Sequence, residues 1–160
     1  MTNSKAIHIL YVYYEPFPSG QTTHVLSLAK GLDKNIFTVH LFLPDALGSV
    51  ADQFRQAGAE VILTRFQKTH WSIDAISRLT KWIKANPGAI IHFHSQEAGL
   101  IGRIVAKLAG ANHIFYTPQT IDIRKKNLQK IYAYIEYFLG KFTNMIISVN
   151  EVDRRRLVSW

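Results

Sequence analysis

Six short apolar segments recur along the chain, separated by stretches of helical periodicity, and this alternation most constrains what it can fold into. The strand candidates are Ile7–Tyr13, Phe37–Leu43, Glu60–Leu63, Ala89–Phe93, His113–Thr117 and Met145–Val149. Several are near-continuously apolar, as strands covered on both faces should be. Between them, Thr22–Leu32, Ser49–Ala57, Ile73–Ala85, Glu97–Leu108 and Leu128–Gly140 read as helices, and a last helix starts near Glu151. Val25, Leu28, Ala29 and Leu32 give the first helix an apolar stripe. Ser72 and Asn150 are N-cap candidates, while Pro87-Gly88 and Gly110 stop helices. Strands alternating with helices across short links predict an α/β fold: a Rossmann-like, doubly wound, mainly parallel sheet of about six strands.

A chain of 160 residues is one domain of ordinary size, and 48% hydrophobic against 19% charged residues reads as globular. The lack of cysteine excludes disulfides, thiol catalysis and thiolate metal sites, and is weakly consistent with a reducing cytosol. The segment before the first strand is too short for a secretory signal, and no run of ~18 apolar residues occurs. A cytoplasmic protein, soluble or peripheral on the inner membrane face, is expected. Charge is uneven: residues 1–80 hold seven Lys/Arg and six Asp/Glu, residues 81–160 twelve and five. The excess gathers at Arg124, Lys125, Lys126 and Lys130 and again at Arg154-Arg155-Arg156. Such patches attract phosphates, nucleic acid or anionic lipid, although a solvated face reads the same way. The first cluster is interleaved with Tyr132, Tyr134, Tyr137 and Phe138. This suits a membrane-surface helix, or an ordinary helix whose aromatics enter the core. No RNA- or DNA-binding module matches, so nucleic acid is not an expected partner.

The chemistry-bearing residues gather at strand ends. In the strand order 3-2-1-4-5-6, strands one and four are neighbours whose connections leave on opposite faces, and ligands collect where they part. That crevice would be lined by the Tyr14–Gly20 loop and by His94, Ser95, Gln96 and Glu97. Alternation puts His92 and His94 on one side, His92 within the sheet and His94 just past its end. A neutral imidazole at His94 can position or deprotonate a hydroxyl near neutral pH; a loop or capping histidine is the plainer reading. For His92 a hydrogen-bonded core histidine is the stronger reading. Gly20 would admit a ligand or backbone, followed by N–H groups at Gln21, Thr22 and Thr23 suited to an anion, or it is a turn glycine. His24, beside the apolar stripe, reads as structural. Thr117-Pro118-Gln119-Thr120 would wall the cleft, unless it is merely a polar loop. The first βα turn lacks G-x-G-x-x-G, and neither a phosphate-binding P-loop nor a nucleophile elbow occurs. Zinc at the His92/His94 pair is disfavoured for want of further ligands at metal spacing, so no metal is expected.

Taken in order, these pieces resemble the N-terminal, acceptor-side domain of a GT-B glycosyltransferase of the retaining family 4. Ile7-His8-Ile9-Leu10-Tyr11 resembles the opening strand, and Ser19-Gly20-Gln21-Thr22-Thr23-His24-Val25 the glycine-rich loop and first helix. Ile90-Ile91-His92-Phe93-His94-Ser95 resembles the strand ending H-x-H, and Tyr116-Thr117-Pro118-Gln119-Thr120 a Y-T-P-H-G segment. The stretch Ile146–Arg154 resembles the close of this domain. Ser19 stands where a second glycine is common, Gln119 replaces a frequent histidine and Thr120 a glycine. The family's E-x7-E pair of the donor-binding domain is missing, and the chain stops about nine residues into a basic helix, which looks like a cut.

The resemblance implies an acceptor-binding half, spanning 1–160, of an enzyme active only with a C-terminal donor domain, in cis or as a separate subunit. A nucleotide-sugar held mainly there, as substrate rather than cofactor, would give its sugar with retention to a saccharide or lipid-linked acceptor, in cell-surface polysaccharide or glycolipid synthesis. His94 would sit near the reacting centre, Gly20 near donor phosphates and acceptor, with Gln21, Ser95, Gln96 and Gln119 lining the cleft. The basic aromatic helix would lie against a membrane. The alternative is a standalone Rossmann-like module binding a phosphorylated or saccharide ligand without catalysis. An NAD-type oxidoreductase is disfavoured by the missing glycine fingerprint.

Overall fold

The strands Ile7–Tyr13 (β1), Phe37–Pro44 (β2), Glu60–Thr64 (β3), Ile90–His94 (β4), His113–Thr117 (β5) and Met145–Ile146 (β6) form one sheet. All neighbours pair in parallel, in the order β3-β2-β1-β4-β5-β6. This is the doubly wound order expected from the alternation, with its switch point between β1 and β4. The computed structural model describes residues 6–14, 19–65, 71–119 and 126–159.

The helices are Gly20–Gly31 (α1), Gly48–Gln56 (α2), Ile73–Ala85 (α3), Gln96–Leu108 (α4), Lys126–Gly140 (α5) and Glu151–Val158 (α6). A 3₁₀ turn at Asp45–Leu47, which periodicity did not signal, leads into α2. The predicted caps form: Ser72 accepts from the Ala75 amide and Asn150 from that of Asp153. Gly88 and Gly110 take left-handed φ values of 86° and 92° just past helix ends, where a Cβ would be strained.

Alternation along the strands splits the core into two layers. Leu10, Val12, Ile91 and Phe93 pack with Leu79 and Ile83 of α3 and Ala98 and Ala106 of α4. Ile9, Tyr11, Tyr13, Val39 and Leu41 pack with Val25 and Ala29 of α1 and Val50 and Phe54 of α2. Each large aliphatic buried this way stabilises the fold by roughly 1.5–3 kcal/mol. On the first face α4 lies unusually close to the sheet. A Cβ on Gly99 would come within 2.2 Å of the Tyr116 ring, and one on Gly102 within 2.3 Å of the Phe93 ring.

That close approach brings the fully buried Arg103 beneath α5. Its guanidinium pairs with the buried Glu136 at 2.7 Å, donates to the Gly99 carbonyl at 2.8 Å and lies 3.8 Å from the Tyr116 ring centroid. The charge is out of water but matched by a carboxylate and an aromatic face.

Two expectations shift. β4 includes His94, which pairs with Tyr13 of β1 and Thr117 of β5, so this histidine ends the strand instead of following it. β6 is only two residues long, shorter than the apolar run Met145–Val149, and both residues are exposed. It lies on the outer side of β5, where a single partner supports few ladder bonds.

Candidate functional site

Parallel strands point their carboxyl ends the same way, so the ends of β1, β4 and β5 converge with the starts of α1 and α4. Tyr11, His92 and His94 share the α1 side of the sheet. The His92 and His94 rings lie 4.1 Å apart between centroids, and Tyr11 sits 5.6 and 5.5 Å from them. His92 is a satisfied core histidine, its Nε2 2.8 Å from Thr117 Oγ1. His94 is fully buried, and its Nε2 has no hydrogen-bond partner. Burial, then the neighbouring His92 and His24, holds His94 well below the ordinary histidine pKa; burial and His24 lower that of His92 to about 4. Both rings are therefore neutral at pH 7. Burial also pushes Tyr11 up to about 12, which keeps its phenol protonated.

Gln119, past the end of β5, reaches back into this group. Its Nε2 lies 3.1 Å from Nδ1 of His94 and 3.1 Å from Nδ1 of His24 on α1. The predicted wall residue is thus a bridge between two helix- and strand-borne histidines. His24, read from sequence as structural, stands half-buried within the site, its ring edge-on to His94 at 5.7 Å. Only its place one residue off the apolar stripe distinguished it in the sequence.

The start of α1 is capped from within. Ser19 Oγ accepts from the Gln21 amide at 3.1 Å, and the Ser19 amide donates to Thr22 Oγ1 at 3.2 Å. The Gln21 amide expected for an anion is therefore already engaged by Ser19. Gly20 is exposed, and among the described residues no atom lies within 4 Å of a Cβ placed on it, which leaves room there for an approaching ligand. Gln21 is buried and its side-chain Nε2 is unpartnered, as is that of Gln96 at the start of α4.

Ser95 caps α4 by accepting from the Ala98 amide, and does so at φ 77°, ψ 159°, a region that glycine favours. Its own amide donates to the Thr117 carbonyl at 3.0 Å, tying the turn after β4 to β5. Among the described residues, Gln119 is the other non-glycine residue with a left-handed φ, at 67°. The two strained backbones thus follow adjacent strand ends and flank His94. Among the described residues no group of three or more His, Cys, Asp or Glu is placed to hold a metal ion.

Arg124 and Lys125 lie outside the described residues, as does the side chain of Lys126, while Lys130 is exposed on α5. Of the interleaved aromatics, Tyr132 turns inward, its hydroxyl 3.3 Å from that of Tyr116, whereas Tyr134, Tyr137 and Phe138 are exposed. No described helix is long and apolar enough to cross a membrane.

Comparison with known proteins finds the same fold in several solved structures. Anabaena HepE, solved with UDP and glucose, superposes with a TM-score of 0.69 at 16% identity over 96% of the chain and 41% of its own length. MurG from Acinetobacter baumannii gives 0.60 at 14% over 89% and 41%. A UDP-N-acetylglucosamine 2-epimerase gives 0.67 at 13% over 97% and 43%, so the fold alone does not choose between chemistries. In sequence, the chain is 27% identical over 158 residues to an Escherichia coli UDP-Gal:α-D-GlcNAc-diphosphoundecaprenol α-1,3-galactosyltransferase, covering 96% of the chain and 41% of that relative. It is 34% identical over 96 residues to an uncharacterised 41.2 kDa protein of the Klebsiella pneumoniae cps region, covering 53% of the chain and 27% of the relative. The chain thus spans about two fifths or less of the curated relatives it matches. Residues 18–160, which include His24, His92, His94 and Gln119, match the sequence profile of Glycosyltransferase Family 4, and the chain belongs to that family.

Proposed function

We propose that the chain is the acceptor-side half of a retaining glycosyltransferase. It would hold a saccharide or lipid-linked acceptor while a second domain, in cis or as a separate subunit, presents a nucleotide-sugar. The observation that carries this reading is a set of buried side-chain nitrogens without hydrogen-bond partners near the switch point. Gln21 Nε2, His94 Nε2 and Gln96 Nε2 come from three different elements that meet where β1 and β4 part. A buried polar group without a partner costs about 1–3 kcal/mol, so these groups favour a ligand rich in oxygen atoms. Sugar hydroxyls and phosphate oxygens meet that description. The names of the Escherichia coli relative, which pairs UDP-galactose with a diphosphoundecaprenol acceptor, and of HepE with bound UDP and glucose support the same substrate classes.

In this arrangement His94 stands at the reacting centre as a neutral group, Gly20 leaves room for phosphate and acceptor, and Ser95 fixes the turn that presents Gln96. The site lies in one Rossmann-like unit, so donor binding and closure over the acceptor are supplied by the other. Transfer of radiolabelled sugar from UDP-galactose, UDP-glucose or UDP-N-acetylglucosamine to membrane lipid extract tests this directly. The 160-residue chain alone is expected to give none, and the protein carrying the second domain to give transfer. Turnover by the short chain alone would overturn the division of labour. Nucleotide-sugar binding by neither form would favour a standalone saccharide-binding module.

A further inference from the structure

We infer that Gln119 sets the tautomer of both site histidines and thereby makes His94 a hydrogen-bond donor instead of a base. The Gln119 Nε2 amide carries two hydrogens and faces two ring nitrogens, Nδ1 of His24 and Nδ1 of His94, each at 3.1 Å. An amide NH2 can only donate, so both Nδ1 atoms must accept. In a neutral imidazole the single proton then sits on Nε2. His24 and His94 are accordingly both Nε2–H.

For His94 this has a chemical consequence. Its Nε2 is buried and unpartnered, and with the proton fixed there it presents an N–H, not a lone pair. A general base at this atom would need the lone pair that the tautomer removes. The groups facing His94 reinforce the neutral form: His92 on β4, Tyr11 on β1, His24 on α1 and Gln119 beyond β5 include no carboxylate. His92 is held separately, its Nε2 2.8 Å from Thr117 Oγ1. The left-handed backbone of Gln119 is consistent with a residue held in place by what its side chain binds. Gln119 is therefore a positioning residue, and the group it positions offers a proton to an oxygen of the bound sugar. This last step rests on the glycosyltransferase reading; the tautomer assignment does not.

The test is long-range ¹H–¹⁵N NMR of the imidazoles in the 160-residue chain, which needs no catalysis. Both rings are expected to show a protonated Nε2 and a bare Nδ1. Gln119→Glu, which replaces the donor with an acceptor, should move the proton of His94 or His24 to Nδ1 and raise the titration midpoint of His94. Gln119→Gly keeps the left-handed turn and should release both rings to a mixture of tautomers, which reads out the bridge if the Glu variant does not fold. Nδ1–H at both rings in the parent chain, or unchanged tautomers in the folded variants, would overturn the inference. In the two-domain enzyme, His94→Ala should lower kcat/KM on the order of 100-fold, as loss of one buried donor does. His94→Gln, which can donate but cannot act as a base, should recover much of that loss. Equal loss in both variants would return His94 to the role of base and sink the donor assignment.

Discussion

At the residue scale, the buried histidines make the fold sensitive to acid. His92 titrates at about 4 in the folded chain because burial and then His24 oppose its charge, and burial, then His92 and His24, holds His94 well below the ordinary histidine range. In the unfolded chain both return to about 6.5, so below that pH the unfolded state binds more protons and gains population. The stability they contribute is complete above pH ~6.5 and is lost as pH falls toward 4, with His92 alone accounting for roughly 3 kcal/mol. Urea denaturation at pH 7 and at pH 5 should show the midpoint drop in the parent chain, and a smaller drop in His92→Gln. A pH-independent midpoint would mean that these rings are solvated in the folded protein.

At the element scale, α4 shows how backbone proximity is bought with glycine. Gly99 and Gly102 stand one helical turn apart and let the helix settle onto the Tyr116 and Phe93 rings. Gly99→Ala and Gly102→Ala should each destabilise by about 1–3 kcal/mol or more through overpacking, although alanine is the better helix former. Thermal melts of the two variants check this, and a gain in stability would show that α4 can move outward at little cost. The alternation of strand and helix was legible because it depends on local periodicity and on caps such as Ser72 and Asn150. The end of β4 was not, since His94 joins the strand through pairing with Tyr13 and Thr117 on other strands. The site was half legible for the same reason. His94, Ser95 and Gln96 stand together in the sequence, but Gln119 lies 95 positions from His24, and no local pattern announces that they meet.

At the scale of the whole molecule, the outer face of α5 remains to be accounted for. Lys130, Ile131, Tyr134, Tyr137, Phe138 and Lys141 fall at helical spacing along one exposed stripe that contains no acidic residue. A shallow cavity of about 510 Å³ lies beside it, lined by Lys130, Ala133, Tyr134, Tyr137 and Ser159. Aromatic rings flanked by lysines suit the headgroup layer of an anionic bilayer. The chain should co-sediment with vesicles containing phosphatidylglycerol, less so at high salt, and much less with both Tyr134→Ser and Tyr137→Ser. Equal sedimentation with neutral vesicles, or no effect of the double variant, would remove the membrane from this face.

The pairing of Arg103 with Glu136 has a consequence that reaches beyond a single molecule. With the two side chains sealed between α4 and α5, losing either one strands the other's charge, a penalty of about 3–5 kcal/mol. Exchanging both for well-packed apolar residues can be neutral or better. A lineage drifting from this sequence therefore faces a valley between two habitable states, and inheritance treats Arg103 and Glu136 as one character written at two positions.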